Sequence, residues 1–458
     1  MHHPVHRRDF LRGGVVGLAG IGISAASSQT AMAKKLANLQ QWLRIARIDR
    51  TTVKLPYRET SGRNMARELP HWAWTEIVEV TLKSGHVGFG ETLLYYTWGA
   101  TGDDDVRRAQ GQNAAELMWD DELGAGLQMA LFDAVARAAE VPVHRLLGHQ
   151  IHERTSLAWW NIDTSPEDMA AECQEAYRQG YRSYKTKGRP WIDVWRQVEL
   201  SAKAIPETFK LAIDFNDTLL DAERGIPILK DLEQYPQVAI WETPIFQSDI
   251  AGNQAIRQAT RVPVAMHFGR PEPRIAIKEE VCDGFVIGGG ASRVKSQGTV
   301  AAMADLPFWL QLVGTGITAA WSLHFGAVLK NATWPAVNCH QLYQHNLLTE
   351  SIELIDGYAA VPDSPGLGYQ LDKDLIERLR VEKPKTRPDP PRLIETSWLD
   401  GRQMTFANTG RVNFMLTLGQ QGKVPYFERG VTTRLVPNDD SAEWRQRYER
   451  ARRGAFLE

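Results

Sequence analysis

The chain has 458 residues, 43% of them hydrophobic, which is enough for a large core and for more than one domain. A net charge of −2 gives no electrostatic footing for nucleic acid or an anionic membrane. Cys173, Cys282 and Cys339 are odd in number and far apart, so they provide neither a disulfide framework nor a zinc spacing.

Residues 1–33 read as a targeting segment. His6-Arg-Arg-Asp-Phe-Leu11 precedes an apolar, Gly-rich run from Gly13 to Ala26, and Ala31-Met-Ala33 offers a small-residue cleavage site. Paired arginines in this setting predict a twin-arginine signal and a periplasmic protein. The run is too short to predict a membrane span.

Residues 34–150 are expected to form an N-terminal domain of strands, turns and helix. Arg44–Pro56, Glu76–Leu82 and Val87–Glu91 are strand-like, with a polar, aromatic loop at Tyr57–Trp74. Ala125, Met129, Phe132, Ala136 and Ala139 recur at helical spacing, and that helix ends before Pro142.

From residue 151 to 355 short apolar strands alternate with helices. Leu157–Asn161, Ser183–Lys187, Lys210–Phe215, Val238–Glu242 and Val262–His267 are strands, and Val281–Ile287 and Phe308–Val313 look like two more. The steps from Lys187 to Asp214, Glu242 and His267 are 27, 28 and 25 residues. That period is one βα unit, and its repetition predicts a parallel β/α barrel of the TIM type. Residues 356–383 follow as a closing segment. Pro384–Pro391 reads as a stiff linker into a C-terminal extension ending at residue 458. In the extension Val412–Leu418 is strand-like and Ala442–Arg453 helical, and a packing or oligomer arm is its expected role.

The strand ends carry the chemistry. In a strand, residues i and i+2 share a face, so Lys185 and Lys187 point into one pocket. Two ammonium groups so placed disfavour each other's charge, which moves a lysine toward a useful base. Asp214 and Glu242 are hard oxygen ligands suited to Mg²⁺. A base beside a divalent ion is equipment for removing a proton next to a carboxylate. The glycines Gly288–Gly290 could bring the backbone close to an anion, although a tight turn is the preferred reading. Arg58, Arg63, Arg67, Trp72, Tyr96 and Trp98, with Trp159 and Trp160 ending the first barrel strand, would suit a carboxylate and a sugar face.

These residues resemble the enolase superfamily, specifically its mandelate racemase and muconate lactonizing enzyme branch, over roughly residues 44–372. Gln128–Gly148 looks like the family's joining helix, and Gly357–Leu371 like its closing segment, which returns to the capping domain. The resemblance implies a modified β/α barrel with an α+β N-terminal cap. It implies that Asp214 and Glu242 are the first two metal ligands, Lys187 the catalytic base, Lys185 its electrostatic partner and Asn216 a companion of the first ligand.

Three departures bear on function. The third ligand, normally a carboxylate after the fifth barrel strand, falls on His267, which is either a ligand or a pocket or core histidine. As a ligand it would suit Mn²⁺, Fe²⁺ or Zn²⁺ as well as Mg²⁺. The branch's Asp–His dyad aligns with Asp283 and Gln311, and glutamine cannot titrate. The muconate-type lysine on strand six is absent. With one base in evidence, the expectation is a metal-dependent dehydratase of a sugar acid. A racemase, epimerase or cycloisomerase, or a degenerate carbohydrate-binding barrel, are the alternatives. A small carbohydrate or carboxylate substrate and a homo-oligomer are expected.

Overall fold

The computed structural model describes residues 41–96 and 99–458. The twin-arginine segment and Trp98 lie outside the described residues. Three antiparallel strands, β1 (Ile45–Lys54), β2 (Trp74–Leu82) and β3 (Val87–Leu93), form the N-terminal sheet in the order β1-β2-β3. The helix Ala125–Ala138 packs against β3 and β2. It approaches so closely because β3 carries glycines there. A Cβ on Gly88 would lie 2.1 Å from the Ala134 nitrogen, and one on Gly90 2.3 Å from the Gly126 oxygen. The stretch read as a loop at Tyr57–Trp74 is instead the helix Glu59–Glu68 and a 3₁₀ turn, Pro70–Ala73. Apolar residues in that stretch are too sparse to give a helical period.

Eight parallel strands follow: β4 (Arg154–Trp160), β5 (Ser183–Lys187), β6 (Lys210–Asp214), β7 (Val238–Glu242), β8 (Val264–His267), β9 (Gly284–Ile287), β10 (Phe308–Leu310) and β11 (Ala336–Val337). They pair in chain order, β11 pairs β4, and a bridge between Gln311 and Val337 closes the barrel. The two-residue β11 is too short to have been read from sequence. Four successive outer helices start at a side chain that accepts the N3 amide: Ser165, Asp193, Asp221 and Asp249. These caps fix where each βα loop ends, and so how far each loop reaches over the barrel mouth. A further strand, β12 (Tyr358–Ala360), adds antiparallel to β4.

Two carboxylates of the N-terminal domain cap barrel helices. Glu91 accepts the backbone N–H groups of Thr315 and Thr318 at the helix Gly316–Val328, and burial pushes its carboxyl upward. Asp121 accepts those of Ser292 and Arg293 at the helix Ala291–Met303. A Cβ on Gly290 would meet the Asp121 carboxyl at 2.2 Å. The glycine triplet is therefore a turn whose anion is the protein's own, which seats the N-terminal domain on the barrel.

The C-terminal extension is a small sheet, β13 (Leu393–Ser397), β14 (Gln403–Ala407), β15 (Thr432–Val436) and β16 (Phe456–Leu457), in the order β15-β13-β14-β16. The helix Ala442–Arg453 forms as read, but the strand-like stretch at 412–418 is the helix Phe414–Gln420. Its apolar residues pack as a helical face: Phe414 and Met415 are buried with Trp191 and Ile192 of the barrel. Among the described residues no helix is long and apolar enough to cross a membrane.

Candidate active site

The inward faces of β5, β6 and β7 meet in register. Lys187 lies beside Asp214, and Asp214 beside Glu242. Alternation sends Lys185 and Lys187 to the barrel interior, while the Tyr184 and Thr186 side chains turn the other way and are fully buried. Each lysine has its own carboxylate. Lys187 Nζ is 2.5 Å from Asp214 Oδ2, and Lys185 Nζ contacts Glu242. The mutual repulsion expected of the two lysines is thus offset by two opposite charges. Lys185 also donates to Gln311 Oε1 at 2.9 Å and lies over the Trp309 ring, 5.0 Å from its centre.

β6 ends in strained backbone that serves this arrangement. Asn216 and Asp217 both have positive φ, 45° and 68°. The turn lets the Asn216 amide donate to Asp214 Oδ1 at 2.8 Å, and brings its side-chain oxygen back to Lys187 Nζ at 3.1 Å. Arg189 Nη2 donates to that same oxygen at 2.7 Å, and its Nε donates to Asp163 Oδ1 at 3.2 Å. Asp163 also accepts from the Trp191 indole. A continuous chain of hydrogen bonds therefore runs from Lys187 through Asn216 and Arg189 into the core under the C-terminal extension.

His267 ends β8 and lies 3.1 Å from Glu242 Oε1 through Nε2. Its side chain is 42% exposed, so it is a histidine of the cleft and not of the core. Gln247 holds its backbone from both sides, accepting the His267 N–H and donating to its carbonyl. Burial would raise the Glu242 carboxyl, but Lys185, with His267 and Lys187, holds it below the usual carboxylate range. Asp217 also faces the cleft, and burial together with Asp214 raises its carboxyl to about 6.

The donor set can be weighed against a divalent cation. Asp214 and Glu242 end adjacent strands side by side, and both Glu242 oxygens are buried without an aligned hydrogen bond. Those two carboxylates fit a hard cation. Among the described residues, however, no three His, Cys, Asp or Glu side chains are gathered tightly enough to hold an ion. The fit falls short at the third position, where an imidazole stands.

Several expected site residues lie elsewhere. Asp283 precedes β9, at the end of the barrel away from the lysines, where it pairs with Arg257 at 2.6 Å and accepts the Val264 N–H at 2.8 Å. The alignment that placed it in the dyad slips by the length of the strand. What β9 delivers to the cleft is Val286 and the glycine turn. Arg58 is committed to Glu172 in a two-point ion pair (3.0 and 2.7 Å), over the Trp159 ring. Trp159 itself donates to Glu172. Both are a joint between the N-terminal domain and the barrel, because strand alternation turns Trp160 inward and Trp159 outward. Arg63 pairs with Asp168, and Arg67 is buried against Glu68 and Asp163.

Gln311, Asn216, Trp72 and Tyr96 do line the cleft. Trp72 stacks on Trp160 with centres 5.6 Å apart, and Tyr96 meets the Trp72 edge at 4.9 Å. Sequence reading missed Arg189, Asp217 and Gln247. Arg189 lies two residues beyond Lys187 and Asp217 three beyond Asp214, so extending each strand-end motif by one turn of loop would have found both.

The family model for enolase C-terminal domain-like proteins matches residues 168–375. Arabinonate dehydratase of Saccharolobus solfataricus is 22% identical over 66% of this chain and 90% of its own length. L-Ala-D/L-Glu epimerase of Bacillus subtilis is 26% identical over 71% of this chain and 96% of its own. A dipeptide epimerase from Cytophaga hutchinsonii, solved with Mg and the dipeptide D-Ala-L-Val, shares the fold. Its TM-score is 0.59 at 21% identity, over 73% of this chain and 98% of that one. The family-model match and these relatives, on a barrel of the same fold, support the enolase superfamily, in its mandelate racemase and muconate lactonizing enzyme branch, for this chain.

Proposed function

We propose that this cleft removes a proton alpha to a carboxylate, and that the reaction is dehydration of a sugar acid. The observation that carries it is the asymmetry of the cleft. Lys187 stands beside Asp214 and Glu242, while β9 and β10 offer only glycines, Val286 and Gln311. Racemisation needs acid/base groups on both faces of the reacting carbon, and elimination needs one.

Lys187 first gives one proton to solvent as its contact with Asp214 is relaxed, and then takes the α-proton as a neutral amine. Asn216, itself oriented by Arg189, holds the amine on the cleft side. The electron pair left on the α-carbon moves into the carboxylate as an enediolate, and Lys185 supplies buried positive charge toward it. Collapse of the enediolate expels the β-hydroxyl. The Lys187 ammonium returns its proton to that oxygen, and water leaves. Gln311 gives its oxygen to Lys185, which leaves its NH₂ donors for a ligand oxygen.

Members of this superfamily bind a divalent metal, typically Mg²⁺. Here Asp214 and Glu242 are the carboxylates that would hold it, His267 stands where a third ligand would be needed, and a bound ion would supply positive charge to the substrate carboxylate. An imidazole donor suits Mn²⁺, Fe²⁺ or Zn²⁺ equally.

Epimerisation is the second reading, favoured by His267, which enters the cleft from β8, three strands round the barrel from β5. Incubating the protein with sugar acids in ²H₂O separates the two. Loss of water to a 2-keto acid supports the dehydratase, and solvent deuterium at C2 with inverted configuration and no loss of water overturns it. Export follows the paired arginines. Changing Arg7 and Arg8 to Lys should retain the precursor inside the cell, and normal periplasmic recovery would refute the signal.

A further inference from the structure

The C-terminal extension does more than pack against the barrel. Asn413 and Leu416, at and just inside the start of the helix Phe414–Gln420, line the same cleft as Lys187. That helix is fixed to the loop after β6: Gln420 donates to the Asn216 carbonyl at 3.0 Å and to Asp217 Oδ2 at 3.3 Å. Tyr426 donates to the Leu219 carbonyl at 3.2 Å, and Thr433 to the Trp191 carbonyl at 2.5 Å. On the other flank Arg392 donates to the Arg67 carbonyl at 2.7 Å. These contacts, with Trp191 inside the extension's core, make its helix a fixed wall of the cleft.

The cleft also has room for more than one sugar acid. Its volume is about 1180 Å³. A pocket for a drug-sized ligand runs roughly 300–1,000 Å³, and a six-carbon acid is smaller than such a ligand. The cleft has an aromatic wall from the N-terminal domain, Trp72 on Trp160, and a mixed apolar and amide wall from the extension. An apolar side chain beside an amide offers a second sugar ring one surface for its C–H groups and one for its hydroxyls.

We infer that Leu416 and Asn413 form a subsite for a second sugar, so that the substrate is a glycosylated sugar acid and the C-terminal extension selects it. This rests on the sugar-acid reading above. The test measures binding of gluconate against the disaccharide acids lactobionate, cellobionate and maltobionate by calorimetry on the full chain. It uses wild type, Leu416→Ala, which removes the apolar surface, and Asn413→Gly, which keeps the positive φ of 56°. The expected result is that one disaccharide acid binds about tenfold or more tightly than gluconate, and that the ratio falls toward one in the variants. Equal affinities in wild type, or a ratio that survives the substitutions, overturn the subsite and leave the sugar-acid reading standing. Binding of none of the four acids at millimolar concentration overturns the sugar-acid reading, and the subsite with it.

Discussion

The two sides of the barrel mouth differ in kind. The side built by β5, β6 and β7 carries two lysines, two carboxylates and Asn216 in adjacent registers, every charge matched and nearly every group buried. The side built by β8, β9 and β10 carries a partly exposed histidine, a glycine turn closed by Asp121 and a glutamine. The first is a dense, mutually dependent cluster in which no member can change alone. The second is sparse, and its members are individually replaceable. On the dehydratase proposal, a site divided in this way works on one face of its substrate.

The sharpest way to break the comparison is to remove the proposed base, Lys187. Lys187→Ala should lower α-proton exchange by about 10²–10⁴-fold, the usual worth of a positioned general base. His267→Ala should lower it less. Exchange followed by NMR in ²H₂O reads both, and equal losses would show that both sides supply acid/base groups. The next effect is on stability. Lys185→Met leaves Glu242 buried without its cation, which should cost about 3–5 kcal/mol and lower the melting temperature. Adding Glu242→Gln should recover part of that loss, because the orphaned charge is gone. Gln311→Met, on the sparse side, should change stability far less. A smaller effect is expected at Arg189. Arg189→Lys cannot hold Asp163 and Asn216 together. Lys187 then loses its orientation, and kcat should fall by about tenfold with KM little changed. A fall in KM-dependent binding alone would make Arg189 a substrate contact instead.

The dense side was legible in the sequence because its parts follow regular rules. Alternation put Lys185 and Lys187 on one face, and the βα period carried the argument to Asp214, Glu242 and His267. The sparse side was less legible. β9 and β10 are four and three residues long, so one misplaced strand end moved Asp283 from the rear of the barrel to its mouth. Arg58 and Trp159 looked like ligand groups because sequence shows side-chain chemistry and not direction. Their partner, Glu172, lies on the helix after β4, and only the fold brings the three together. The extension was hardest. Its helix at Phe414–Gln420 is seven residues long, too short to show a clear period, and its contribution to the cleft depends on contacts more than 200 residues apart in the chain.

The smallest effect concerns Asp217, a cleft carboxylate in the loop after the dense side that has no lysine partner. Its carboxyl is raised by burial and by Asp214 from 3.8 to about 6, so the folded state holds its proton more tightly than the unfolded chain. The sign follows from linkage. The stability due to this group is fully present below about pH 3.8 and is lost as pH rises through about 6. Asp217→Asn removes that dependence. The variant's melting temperature relative to wild type should therefore climb between pH 4 and pH 6.5 and stay level above. Asp217 is partly open to the cleft, so solvent screening limits the gain to about one or two degrees. Its Oδ2 also accepts from Gln420, and losing that bond gives a pH-independent offset of either sign. The slope between pH 4 and 6.5 is the diagnostic, and an identical slope in variant and wild type would place the shared charge of the cleft on another group.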